Sequence, residues 1–473
     1  MKIRFSINQI SFGTLARLCG GTLQQLGGSE AAVRYICTDS READSQTAFV
    51  ALRGERVDGH DYIESALKNG CPCVICECRN EKLASSKVAV IVVNNTELAL
   101  SRLANGYRNY LRCKTVAVTG SVGKTTTKDM VASVLSEGVT VAKTPGNHNS
   151  TVGMPLSMLG ISPESDWAVL EMGMSNFGEI ELLSIAAEPD IAVITNIGSS
   201  HMESLGSREN ICRAKLEVLA GLKKDGILIL SGDEPLLRKI YGKSYRTLYV
   251  SLLNEKADFF AKNIMVKTDC TTFDIVHGDR IIKDLCIRLL GRHNVYAALY
   301  AFAVATVIGL DEKQIRRGLY HYLPDGMRQH IYPLKQITVI EDCYNASPES
   351  MIAAVDVLES YCKNTGSRSI AVLGDMLELG SDSPMLHRSV GAYLAQKGIQ
   401  HLFTFGNAAN QIAVGARQNG MSGGSIHQNS NADDLAETCE ALLGTLRDGD
   451  VVLFKASRGI AAERIIAYLR ERL

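Results

Sequence analysis

No charge of either sign dominates this chain. Its 50 Lys and Arg stand against 51 Asp and Glu, a formal net charge of −1. There is no global basic field to hold a polyanion, and no basic run that would track a nucleic-acid backbone. Nucleic acid is therefore not an expected partner, and any phosphate site must be local. Long polar or single-sign tracts are missing as well. With 46% hydrophobic and 21% charged residues, the composition is that of a folded protein rather than a disordered one. The N-terminal stretch MKIRFSINQISFGTLARL lacks the uninterrupted apolar core and small-residue cleavage site of a secretory signal. The longest apolar run, Val295 to Leu310, is shorter than the roughly 18 residues expected of a membrane span, and reads as a buried helix. Neither an internal repeat nor a low-complexity linker occurs.

Cysteine is not scarce, but it does not form a framework. Thirteen Cys, an odd number spread along a long chain, argue for free thiols in a reducing compartment, and so for a cytoplasmic protein. Cys73 and Cys76, flanked by Cys71 and Cys78, have chelating spacing. No second Cys pair with His follows, and the alternation of CPCVICEC splits the thiols between two faces, as in a short buried strand.

At 473 residues the chain is too long for one compact core and predicts about three domains. Residues 1–112 carry short strand-like runs, AFVAL and VAVIVV, between polar turns, a small mixed α/β domain. From Lys114 apolar strands alternate with amphipathic helices: TVAVTG, a helix from Thr125, WAVLEMG, IAVITNIG and GILILSG. That pattern predicts a parallel-sheet nucleotide-binding core over 113–324, with strands near 248–290 added at its edge and a helical segment from Asn294. Alternation resumes in TVIEDCYN, SIAVLGDM, HLFTFGN and VVLFKAS, so a second parallel α/β domain is expected over 325–473.

The segment TVAVTGSVGKTTTKDMVASVL is a strand, a loop and a helix. Gly120, Ser121, Val122, Gly123, Lys124, Thr125 and Thr126 form a phosphate-binding loop in which glycines free backbone N–H groups for phosphate oxygens. The helix N-terminus adds partial positive charge, Lys124 neutralises β/γ charge, and Thr125 can reach Mg²⁺. The common spacing would put another glycine where Val118 stands, so the match is to a shorter GxxGKT variant. Downstream, Glu171 ends one strand, and Thr195, Asn196 and His201 follow another, at the edge where open α/β sheets place their sites. Glu171 and His201 are candidate Mg²⁺ ligands. In the next helix Ile211, Lys215, Val218 or Leu219 and Leu222 recur at spacings of three and four, so Lys215 interrupts an apolar stripe and should point inward. A buried lysine whose pKa falls can take up carbon dioxide as an anionic carbamate suited to Mg²⁺, but on physics alone a snorkelling or salt-bridged lysine is the better reading.

These strings also resemble a known family. TGSVGKTTTK, KTPGNHNSTVGMPLSML, LEMGMSNFGEI and TNIGSSHMESLGSRENICRAKLEVL together resemble the central domain of the Mur ligases. In that family the central domain follows an N-terminal UDP-binding domain and precedes a C-terminal dinucleotide-fold domain. TDSR, with Ser40 and Arg41, and FVALRGERVDGHDYI resemble its uridine-nucleotide region. EDCYNASPESM and LGDMLELG resemble the member that joins D-alanyl-D-alanine to UDP-N-acetylmuramoyl-tripeptide, while the Asp-Asn-Pro-Arg signature of the member adding the third residue is absent.

The resemblance implies ATP and Mg²⁺ as cofactors. Lys124 and Thr125 would act at the phosphates, Glu171 and His201 on the metal, and Lys215 would be a carbamylated lysine. It implies an adenosine pocket with Asn294, Arg328, Asp342, Tyr344 and Asn345, and peptide-side contacts at Asn149 and Ser150. Lys124, Lys215 and His201 would carry the chemistry of a monomer. Three departures stand out: Ser150 replaces the usual second Asn of a pair, Arg328 lies in the unusual string PDGMRQ, and KASRG replaces KGSR. Two other readings compete. A folylpolyglutamate synthase-like ligase shares the ATP core but not the TDSR and DGHDYI segments. A GTPase switch would need an Asn-Lys-x-Asp string, and NEKAD at 254–258 has the wrong spacing.

Overall fold

The computed structural model describes residues 1–24, 31–54, 57–78, 83, 88–242, 244–324, 326–431 and 435–473. Glu55 and Arg56 of FVALRGERVDGHDYI and Asp325 of PDGMRQ lie outside the described residues. Three large sheets follow one another along the chain.

The first has six strands, ordered Lys2–Arg4, Tyr35–Cys37, Thr47–Val50, Cys73–Cys76, Ala89–Val92, Thr22–Gln24, with the inner four parallel and both edges antiparallel. Strand alternation separates the cysteines. Cys73 and Ile75 pack into the core that continues into the second sheet, while Val74 and Cys76 pack into a smaller one on the opposite face. Burial pushes the thiols of Cys71 and Cys76 up to about 11. The helix Thr96–Tyr107 joins the units: Ser101 Oγ donates to Leu182 O (3.1 Å) and Asn105 Nδ2 to Ile185 O (2.7 Å).

The second sheet has nine strands. Lys114–Thr119 lies between Trp167–Glu171 and Ile191–Ile194, all parallel. The chain therefore leaves this strand in both lateral directions, and a crevice opens at the carboxyl ends. Gly226–Ser231 and Tyr245–Ser251 continue the parallel order, and the edge is completed by Phe259–Val266, Thr271–His277 and Arg280–Ile287. The helix Lys124–Leu135 buries Met130, Val131, Val134 and Leu135 against one face. It begins one residue earlier than the sequence suggested, because Gly123, at φ 82°, completes the turn and frees Lys124 for the first helical position. The apolar run near residue 295 is the helix His293–Ile308, buried at Val295 and from Ala297 to Ala305. Among the described residues no helix is long and apolar enough to cross a membrane.

The expected single helix after His201 is broken. Met202–Leu205 ends at Gly206, Ser207 caps Arg208–Leu216, and a 3-10 turn covers Glu217–Ala220. The helix gives way to this turn after Leu216, but Val218 stays buried in the same core, and the Glu217 carboxylate accepts the N–H of Gly178. Leu222 consequently lies beyond the helix. Ile211 and Lys215 do face inward, at 0% and 1% exposure.

The third sheet runs His330–Leu334, Ile337–Glu341, Val451–Lys455, Ser369–Gly374, His401–Phe405, Ile426–Asn429, parallel except for its first strand. Helices cover both faces over two cores.

One buried bond ties the helical layer to the strand ends. Tyr300 Oη donates to Thr195 O at 2.7 Å and lies 3.2 Å from Ile194 O. Tyr300→Phe should therefore lower unfolding free energy by about 1–1.5 kcal/mol, measured as the urea midpoint at constant slope. An unchanged midpoint would mean that this bond does not hold the strand end.

Candidate active site

A cleft of about 360 Å³ opens over the carboxyl ends of the central strands and is roofed by the third unit. Its floor is the loop Gly120–Gly123. Gly120 has φ 147°, and a Cβ there would stand 1.8 Å from Thr195 Oγ1, so no larger residue fits. Both backbone groups of Val122 are held from the neighbouring strand end. Its N–H donates to Asn196 Oδ1 (2.9 Å), and its carbonyl accepts from Thr195 Oγ1 (2.7 Å) and Asn196 Nδ2 (3.1 Å). Ser121 N–H donates to Asn196 O (3.1 Å). Lys124 Nζ donates to Gly120 O (2.9 Å) and Ser121 O (3.3 Å). Burial pulls its ammonium below the usual lysine range, against the attraction of Glu171. Thr125 and Thr126 continue the lining at the helix start.

Glu171 ends its strand at 1% exposure. Asn149 Nδ2 donates to its Oε1 (2.8 Å), while the buried Oε2 has no hydrogen-bond partner. The nearest cation is Lys128, whose Nζ lies 3.7 Å from Oε2. Sequence reasoning missed Lys128. It is 1% exposed and donates to Thr144 O (3.0 Å) and Gly146 O (3.1 Å), fixing the segment that carries Asn149. Its position one helical turn after Lys124 was the available signal. Ser150, beside Asn149 in the lining, accepts the N–H of Gly153 (3.1 Å).

Several side chains of the third unit reach the central one. Arg328 Nη2 donates to Thr125 Oγ1 (3.0 Å), with its guanidinium 3.7 Å from the Tyr344 ring centre. Glu349 Oε1 accepts from the N–H and hydroxyl of Ser199, both at 2.9 Å. Glu378 pairs with His201 Nδ1 at 2.8 Å, which holds its carboxyl below the usual range. None of these pairings was read from the sequence, since each partner lies more than a hundred residues away. Asp342 pairs with the buried Lys455 (2.6 Å), which also donates to Asn345 O (3.0 Å). The KASRG string thus contributes a lysine to the same pocket. Asn294 donates to Leu290 O (2.9 Å) and Gln329 Oε1 (3.2 Å) on the pocket wall.

Two sets of expected residues stand elsewhere. Ser40 and Arg41 do not line the cleft: Arg41 pairs with Asp39 (2.6 Å) on the first unit, its side chain 85% exposed. Lys215 does not line it either. It is buried, and among the described residues its ammonium has no ion pair or side-chain hydrogen bond. Neither snorkelling nor a salt bridge describes it. Burial, and then the charge of Lys124, hold it well below the usual lysine range.

Among the described residues no group of three or more His, Cys, Asp and Glu is arranged to hold a metal. A cation here would need ligands from phosphate, as Mg²⁺ sites in phosphoryl-transfer enzymes do.

Known proteins show the same layout. Residues 32–108 match the family model described as Mur ligase family, catalytic domain. Residues 118–305 match the Mur ligase middle domain, and 327–458 the Mur ligase, glutamate ligase domain. The chain is 39% identical over 458 residues to the UDP-N-acetylmuramoyl-tripeptide--D-alanyl-D-alanine ligase of Bacillus subtilis, covering 97% of each. Its structure is similar to a crystal structure of MurF from Acinetobacter baumannii, with TM-score 0.89 and 30% identity over 98% of this chain and 99% of that one. It is also similar to MurF ligase from Thermotoga maritima in complex with ADP, with TM-score 0.81 and 30% identity over 92% and 97%.

The state of Lys215 has a measurable sign. With its folded pKa lowered from 10.5, the unfolded chain binds a proton that the folded one does not, throughout the interval between the two values. The lysine therefore makes stability rise with pH in that interval, by up to about 1.4 kcal/mol per unit. In carbon-dioxide-free buffer, Lys215→Met should be more stable than the parent at neutral pH, and the difference should shrink toward pH 10. A parallel pair of stability curves would show that Lys215 is protonated in the fold.

Proposed function

This chain belongs to the Mur ligase family, and within it we propose that it joins D-alanyl-D-alanine to UDP-N-acetylmuramoyl-tripeptide at the expense of ATP, in peptidoglycan precursor synthesis. The carrying observation is the meeting, in one cleft, of a phosphate loop, a buried carboxylate with an unbonded oxygen, and a cationic roof from another unit. The 39% identity over nearly the whole chain to a ligase of that name supports the substrates, and the likeness to an ADP complex supports the nucleotide.

In this reading residues 1–112 hold the UDP substrate, with Ser40 and Arg41 at the uridine nucleotide. Residues 113–324 bind ATP, and 325–473 close over it and receive the dipeptide. A carboxylate oxygen of the tripeptide attacks the γ-phosphorus, and the bond to the β,γ-bridging oxygen breaks to release ADP. The dipeptide amine then attacks the acyl carbon, loses a proton and expels phosphate. Gly120 and Gly123 offer backbone N–H groups to the phosphates, those of Ser121 and Val122 being held by Asn196, and Lys124 exchanges its loop carbonyls for phosphate oxygens. Arg328 and Tyr344 cover the nucleotide, with Asn294, Asp342 and Asn345 around the adenosine. Excluding water protects the acyl phosphate. Asn149 and Ser150 face the peptide side.

Glu171, His201, Thr125 and a carbamylated Lys215 are the residues that would hold Mg²⁺. The unbonded Glu171 Oε2 fits that purpose, as does the low proton affinity of Lys215, since only a neutral amine adds to carbon dioxide. Such an ion supplies charge neutralisation at the transferring phosphoryl group. The enzyme would work as a cytoplasmic monomer, for which the thirteen free thiols are suitable.

Lys124→Ala should lose ligation by more than about 100-fold with an unchanged circular dichroism spectrum, read as product mass from ATP, Mg²⁺, UDP-tripeptide and D-alanyl-D-alanine. Near-normal turnover at saturating ATP would remove the phosphate role. In the same assay the dipeptide should far exceed meso-diaminopimelate, L-lysine or glutamate as acceptor, and preference for any of these would move the chain to another ligase of the family.

Lys215→Ala should also be severely impaired, and short carboxylic acids should restore part of its activity by occupying the vacated anion position. Failure of every such acid would count against the carbamate.

A further inference from the structure

The pair His201 and Glu378 has two features that an ordinary surface ion pair does not need. Both residues lie at φ 64°, the left-handed region that non-glycine residues avoid. Strain of this kind persists only where surrounding contacts impose it, and it concentrates at functional positions. Here the contacts are visible. Glu378 is bracketed by Met376 and Leu379, each 2% exposed. Met376 N–H donates to His387 Nε2 (3.0 Å), and Leu377 N–H to Ser457 Oγ (3.0 Å). On the other side His201 opens the helix Met202–Leu205, and Glu203 N–H donates to Glu378 O (3.3 Å). The two strained residues belong to different units, one following a central strand and the other a strand of the third sheet.

The ion pair sets Nδ1 of His201 2.8 Å from Glu378 Oε2, which favours a proton on that ring nitrogen. An ionised carboxylate only accepts, so Nδ1 must be the donor, and a neutral ring then keeps its lone pair on Nε2. His201 lines the cleft whereas Glu378 does not. The carboxylate therefore stands behind the imidazole and acts through it.

We propose that Glu378 is a positioning residue that presents Nε2 of His201 to a divalent cation, so that docking of the third unit and readiness of the metal pole are a single event. The proposal rests on the reading of His201 as a metal ligand given above. A carboxylate behind a ligating histidine fixes its tautomer and orientation, and its loss commonly weakens metal binding by about 10–100-fold.

The test is Mn²⁺ binding to the full-length protein with saturating ADP, followed by electron paramagnetic resonance, for the parent, Glu378→Ala, Glu378→Gln and His201→Ala. Glu378→Ala should weaken Mn²⁺ by at least about tenfold, with metal-free ADP affinity unchanged. Glu378→Gln, whose amide oxygen can still accept from Nδ1, should recover most of the loss. In ¹⁵N-histidine spectra the His201 signal should move from the Nδ1-protonated tautomer toward a mixture in Glu378→Ala alone. If His201→Ala weakens Mn²⁺ but Glu378→Ala does not, or if the tautomer is unaltered, this proposal falls and the ligand reading survives. If His201→Ala binds Mn²⁺ like the parent, both fall.

Discussion

Everything at the catalytic cleft depends on how Val122 is held. A loop that offers N–H groups to an anion leaves its own backbone short of partners, and such groups are costly to bury unpaired. Thr195 and Asn196 resolve the conflict by taking the carbonyl and the N–H of this one residue, at 2.7 Å and 2.9 Å. The loop is thereby shaped from the next strand rather than from within. That strand end is fixed in turn by Tyr300 from the helical layer, and the same chain segment runs on through Ser199 to His201. Phosphate loop, candidate metal ligand and roof contacts thus share one support.

The cationic side chains around this support are handled in different ways. Lys128 is buried but satisfied by two carbonyls and a nearby carboxylate. Lys455 is buried and paired with Asp342. Lys215 is buried and, among the described residues, has no acceptor for its ammonium, so that the fold disfavours its charge. Arg328 rests on the aromatic face of Tyr344 and donates to the Thr125 hydroxyl instead of pairing with an anion.

The parallel sheets and the phosphate loop were legible in the sequence because they depend on local signals: apolar runs, glycine spacing and a lysine-threonine pair at a helix start. The inward turn of Lys215 was legible for the same reason, although its helix ends at Leu216, where a 3-10 turn takes over. Contacts between units were not legible. Glu349 on Ser199 and Glu378 on His201 join residues about 150 or more positions apart, and no periodicity reports such distances. Ser40 and Arg41 show the opposite limit. A motif can name them as substrate residues, yet their place apart from the cleft follows from how whole sheets are set against each other.

The first sheet and the central sheet are not independent bodies. One continuous apolar core runs from Phe5 and Leu15 through the helix Thr96–Tyr107 to Leu170 and Ile194, whereas the third sheet has two other cores, in one of which Leu290 and Val266 of the central unit also pack. Units that share a core throughout melt together, and units joined by a few contacts need not. A calorimeter should accordingly see two cooperative blocks in this three-sheet chain, one about twice the size of the other. A nucleotide gripped by both would bring their transitions together, because its binding free energy is lost when either block unfolds.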